Sequence, residues 1–160
     1  MIVAVRKDLR DNFSWPAPLA VNPKTVGETL FDLMSERGWT GVDKWREQAS
    51  EIAPTIVGGS KKHGGPDLGP TRAKRAWAGL SVDGMGIADE APVRDFAGMP
   101  RLTVPMVARL QGFPDYWQFS SRKTAAYRQV GNAFPPPVAK AVAGKIFEAL
   151  TTRGKVQVVA

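Results

Sequence analysis

Cysteine is absent from the 160-residue chain, and histidine occurs once, at His63. These absences exclude disulfides, thiolate metal sites, a polyhistidine metal cluster and any cysteine nucleophile drawn from these residues. Long apolar runs are missing too. No stretch approaches the roughly 20 residues needed to cross a bilayer, and MIVAVRKDL is too short and too soon charged for a secretory signal. The expectation is therefore a cytoplasmic protein without membrane contact. Internal repeats and low-complexity tracts are also lacking.

What is present fits a folded soluble protein, with 43% hydrophobic and 23% charged residues. A chain of this length fits one domain able to bury about two-thirds of its unfolded surface. Lys and Arg outnumber Asp and Glu by 22 to 15, a formal charge of +7, which points to an anionic partner. The excess is concentrated: Lys61, Lys62, Arg72, Lys74 and Arg75 face a lone Asp67 between residues 61 and 75. A solvated basic loop and a nucleic-acid contact both fit such a run.

Along the chain, MIVAVR reads as a β-type apolar run, and the proline-bearing DNFSWPAPLAVNP as an extended connection. Thr25 with Glu28 forms a capping-box pattern ahead of Leu30, Phe31, Leu33 and Met34, a helix stopped by Gly38. A shorter helix is expected over Asp43–Ile52, with Trp45 and Ala49 on one face. Gly58, Gly59, Gly64, Gly65, Gly69, Pro66 and Pro70 then exclude a long helix and suggest a loop-rich recognition region. Residues 81–100 stay irregular. Thr103 caps a helix through Leu110, with Pro105 tolerated in the first turn. Phe113, Tyr116, Trp117 and Phe119 cluster as core or interface anchors. Another helix is expected over Arg122–Val130. The last starts at the prolines of 135–137, with Val138, Val142, Ile146 and Leu150 on one stripe and Phe147 beside them.

RLTVPMVARLQGFPDYWQF, residues 101–119, followed by YRQVGNAFPPPVAKAV, residues 127–142, resembles the last two signature motifs of DNA (cytosine-5)-methyltransferases. In the same resemblance, MIVAVRKDL is similar to the end of the strand after the family's Gln-x-Arg-x-Arg motif. APTIVGGSKKHGG is similar to the start of its variable target-recognition domain. Two departures stand out: Pro105-Met106 replaces an Arg-Glu pair, and Phe134 a small aliphatic residue. The family's glycine-rich cofactor strand and its Pro-Cys, Glu-Asn-Val and Gln-x-Arg-x-Arg motifs are expected outside this chain, N-terminal to it.

The resemblance implies an α/β, S-adenosyl-L-methionine-dependent methyltransferase fold, incomplete here. The chain would supply a small loop-rich recognition domain and C-terminal helices that pack on an absent parallel sheet. Residues 1–24 would be a strand remnant and connection, 25–120 the recognition domain, and 121–160 the returning helices. In the family's reaction a flipped cytosine is attacked at C6 by a cysteine thiolate. With no cysteine, the chain alone is expected to be inactive, no residue of it is assigned as catalytic, and no metal is expected. Gly131, Asn132 and Ala133 are expected to wall part of the S-adenosyl-L-methionine pocket.

Double-stranded DNA is the expected partner. Lys61, Lys62, Arg72, Lys74 and Arg75 would meet phosphates, and Thr55, Ser60, His63 and Thr71 would approach base edges. His63 is equally readable as a plain surface residue. Arg101 and Arg109 are read as hinge or phosphate contacts, with structural salt bridges as the competing role. An N-terminal methyltransferase subunit with the Pro-Cys motif is the second expected partner, as in a split restriction–modification enzyme. A decayed fragment and a stand-alone DNA-binding module are the alternatives.

Overall fold

The computed structural model describes residues 1–18, 22–58 and 66–152. Its first α-helix, α1 (Val26–Ser35), begins where the sequence pattern places it. The Glu28 N–H donates to Thr25 Oγ1 at 3.1 Å, and the Thr25 N–H to Glu28 Oε2 at 2.8 Å, closing the capping box. That bond from Thr25 holds the Glu28 carboxyl below the usual carboxylate range. Val26, Leu30 and Met34 recur every four residues and are fully buried. Gly38, at φ +71°, then turns the chain where a side chain would be strained.

Helix α2 (Val42–Gln48) is shorter than the expected Asp43–Ile52. The carbonyls beyond it turn to α1: Gly27 N–H donates to Ala49 O at 2.8 Å, and Val26 N–H to Glu51 O at 2.9 Å. Satisfying the unpaired donors at the start of α1 ends α2 early. Ile52, placed on the expected helix, lies 60% exposed. The crossing is tight, since a Cβ on Gly27 would lie 3.0 Å from Arg46 Cα.

A further helix, α3 (Thr71–Gly79), follows Pro70. The sequence reading saw only the glycines and prolines before it and described the whole region as loop. The segment 81–100 has no regular element but is tied down by main-chain bonds, among them Asp83 N–H to Pro100 O and Ala88 N–H to Leu102 O, both 2.9 Å. Its Phe96 meets Trp39 edge-on at 5.8 Å and accepts the Trp39 indole N–H on its carbonyl at 2.9 Å. Trp45, Trp77, Leu80, Val82 and Leu102 complete this part of the core.

Helix α4 (Val104–Leu110) starts at Thr103 as expected, with a substitution in the capping box: the Thr103 N–H points at the Met106 sulfur, 3.4 Å away. A weak thioether acceptor thus stands where an ordinary capping box has a Glu or Gln side chain. α4 packs against α1 and against α5 (Lys123–Asn132). Phe113 and Phe119 stack edge-on at 5.1 Å against this core, whereas Tyr116 is 80% exposed and anchors nothing in it.

The chain divides into two compact units, Asn22–Ala133 and a smaller one made of Met1–Val21 with Phe134–Ala160. The smaller unit corrects the reading of MIVAVR as a strand. Residues 1–6 have no regular structure, and a 3₁₀ helix, Lys7–Asn12, follows. With no second strand to take up its N–H and C=O groups, an apolar run cannot form a ladder. Among the described residues there is no strand, only an isolated parallel bridge from Ala88 to Thr103. The expected α/β character is therefore not seen in the described residues, which are helical.

Helix α6 (Pro136–Thr151) completes the smaller unit, with two prolines in its first turn as expected. The Asn12 amide donates to Thr152 O at 3.2 Å and Ala149 O at 3.4 Å, meeting carbonyls left over at the helix end. Val142 and Ala149 are buried, while Val138, Phe147 and Leu150 remain exposed.

Candidate nucleic-acid interface

The basic residues of α3 separate by role. Trp77 is fully buried and fixes one face of the helix, while Thr71, Arg72 and Arg75 are exposed. Arg72 and Arg75 stand three residues apart and so share a face. Lys74 is different: its ammonium pairs with Asp67 at 2.7 Å, both side chains largely covered. Thr55 is exposed on the segment that follows α2. Ser60, Lys61, Lys62 and His63 lie outside the described residues.

Arg101 and Arg109 form ion pairs rather than projecting freely. Arg101 Nε donates to Asp83 Oδ2 at 2.7 Å. Arg109 grips Asp115 with two parallel bonds of 2.8 Å and reaches Asp32 at 2.5 Å and Thr29 O at 3.2 Å. Its guanidinium, held above its ordinary pKa by Asp115 and Asp32, joins α1, α4 and the loop after α4. Both arginines thus make the salt bridges that the sequence offered as one of their two roles.

At the other candidate site, Gly131 and Asn132 are not a free turn but the last residues of α5, and Ala133 is extended beyond them. The Gln111 amide donates to Ala133 O at 3.2 Å and to Val130 O at 3.4 Å, fixing the helix exit. Asn132 is exposed. Gly131 lies against the main chain of Val57 and Gly58: a Cβ there would sit 2.5 Å from Gly58 N and 2.8 Å from Val57 C. The three residues thus form a helix end with an exposed amide and a fixed exit.

Sequence reasoning missed Tyr127. Its hydroxyl lies 2.9 Å from Val57 O and 2.7 Å from Asp67 O, and burial pushes the phenol up to about 12. The signal was available only as a tyrosine four residues before Gly131 on a helical face. Among the described residues no group of His, Asp and Glu is placed to hold a metal. None of their helices is long and apolar enough to cross a membrane.

The sequence model described as C-5 cytosine-specific DNA methylase matches residues 1–148. The chain belongs to this family. Members use S-adenosylmethionine and share the fold that goes with it. The type II methyltransferase M.NaeI of Lentzea aerocolonigenes is 56% identical over 97% of this chain and 38% of its own length. M.NgoMIV of Neisseria gonorrhoeae is 50% identical over 94% of this chain and 48% of its own length. M.BsuRI of Bacillus subtilis, at 32% identity, aligns with 91% of this chain and 37% of its own length. This methylase chain therefore spans less than half the length of these relatives.

Proposed function

We propose that these residues are the C-terminal, DNA-recognising part of a type II cytosine-5 methyltransferase of a restriction–modification system, and that they also wall part of its S-adenosylmethionine site. The observation that carries the reading is the pairing of the family match with an exposed basic face on α3, formed by Arg72 and Arg75. Phosphates would meet Arg72, Arg75, Lys61 and Lys62, and Thr55, Thr71, Ser60 and His63 are the candidates for base edges. Lys74 holds α3 to Asp67, and Arg101 and Arg109 carry ion pairs to Asp83 and to Asp32 and Asp115 elsewhere in the same unit. In this reading residues 25–120 recognise DNA and residues 121–160 return to the catalytic part, with α5 packed in the Asn22–Ala133 unit.

Gly131, Asn132 and Ala133 would contact S-adenosylmethionine, which supplies the methyl group when bound. The reactive thiol belongs to residues outside these 160, which contain no cysteine. A serine cannot substitute, since its hydroxyl is scarcely ionised at neutral pH. The partner is thus a polypeptide portion bearing the Pro-Cys motif. The exposed Val138, Phe147 and Leu150 of α6 are the surface we assign to it.

Binding of the full chain to duplex DNA at several salt concentrations tests the recognition reading. Log affinity should fall linearly with log salt, and the steepness should drop by about two when Arg72 and Arg75 are both changed to Ala. Affinity indifferent to salt, or a slope unaltered by the double change, overturns it.

A further inference from the structure

We propose that the C-terminal half of α5 anchors both ends of the basic recognition segment, with Tyr127 as the positioning residue. This rests on the DNA-reading role proposed above for that segment. The Tyr127 hydroxyl has one proton and faces two main-chain carbonyls, Val57 O at 2.9 Å and Asp67 O at 2.7 Å, one on each side of residues 59–65. The ring is 1% exposed, so its position is set by the core. The phenol, pushed up to about 12 by burial, stays protonated and able to donate throughout the neutral range.

Contacts on each side of the segment reinforce the clamp. On the entering side, Gly131 and Gly58 meet main chain to main chain, and a Cβ on Gly58 would lie 2.9 Å from Asn132 N. On the leaving side, Asp67 accepts the Gly69 N–H at 3.1 Å and pairs with Lys74, while the Leu68 N–H reaches Gly84 O at 3.0 Å. The entering chain thus meets α5 through Tyr127, Gly131 and Asn132, and the leaving chain meets it through Tyr127 while its other contacts run to α3 and the loop after α3.

Fixed ends lower the ordering cost of binding. They matter most for reading bases, which requires side chains in register with the groove, and least for phosphate contacts, which tolerate displacement. Loss of the Tyr127 hydroxyl should therefore reduce discrimination between DNA sequences more than it reduces salt-dependent affinity.

The test compares the full chain with its Tyr127→Phe and Gly58→Ala variants, using a pool of random-sequence duplexes and amide hydrogen exchange. In Tyr127→Phe, enrichment of the preferred sequence should fall about tenfold, the worth of one buried hydrogen bond, with the salt slope unchanged. Exchange should rise locally at Leu68 and Gly69 and not in α1. Gly58→Ala, which forces Gly58 away from Asn132, should give the same pattern without touching the hydroxyl. Unchanged enrichment and exchange in both variants, or exchange rising equally in α1, overturns the proposal. A wild-type chain that enriches no sequence removes the DNA-reading role and the proposal with it, while exchange still decides whether the clamp exists.

Discussion

Arg109 commits its guanidinium to Asp32, Asp115 and the Thr29 carbonyl, and the bond from Arg109 draws the Asp32 carboxyl below its ordinary 3.8. A carboxylate whose pKa is lower folded than unfolded stabilises the fold fully above the unfolded value and loses that contribution as pH falls through the folded one. Asp32→Asn should thus melt lower than wild type at pH 7, by an amount worth no more than about 1 kcal/mol because Asp32 is mostly exposed. The two melting curves should converge as pH is taken below 3.8. A gap that persists or widens in acid shows that the pair does not contribute. Gly27 makes a stronger demand, since its Cα faces the Arg46 main chain with no room for a methyl group. Gly27→Ala should cost about 1–3 kcal/mol and lower the melting temperature by several degrees, read by circular dichroism. The Thr25–Glu28 box was legible in the sequence because its partners are three residues apart in a local pattern. Tyr127 was not, because its acceptors lie far along the chain and are main-chain atoms that no side-chain pattern encodes.

The helices show the same boundary between local and tertiary information. α1, α4, α5 and α6 could be placed from caps, prolines and four-residue apolar spacing. α2 stopped at Gln48 rather than Ile52 because α1 takes the Ala49 and Glu51 carbonyls, and no propensity reports such a competition. α3 was hidden by its neighbours: five glycines and two prolines lie in residues 58–70, yet TRAKRAWAG itself contains no helix breaker before its last residue. Placing Arg72, Lys74 and Arg75 on a helix changes the chemistry that can be expected of them. Arg72 and Arg75 become a fixed pair on one face, whereas Lys74 turns to Asp67. Charge reversal at the exposed pair, Arg72→Glu with Arg75→Glu, should abolish measurable DNA binding at physiological salt while leaving the melting temperature within about 2 °C of wild type, since exposed substitutions change stability little. A matched loss of stability shows instead that these arginines serve the fold.

For the whole molecule, the deciding quantity is the chemistry that 160 residues without a cysteine can perform. The sequence motifs made the family legible, and the match over residues 1–148 bears this out. Only a strand remnant at MIVAVR was expected of the family's parallel sheet, and that run is not a strand in the described residues because one apolar run cannot pair with itself. Two consequences can be separated by experiment. The chain incubated with duplex DNA and labelled S-adenosylmethionine should transfer no methyl group above background, and transfer by the chain alone refutes the assignment of the thiol to other residues. Adding the portion of M.NaeI that this chain does not match should restore transfer, given the 56% identity across the shared region. A control mixture of that portion with the matching M.NaeI segment establishes that the assay can succeed. Phe147→Glu then distinguishes association from recognition. Phe147 is 67% exposed on α6, outside the unit that carries α3, so the variant should bind DNA as wild type does and still lose the restored methyl transfer. Equal restoration by the variant places the catalytic portion on a different surface from the exposed face of α6.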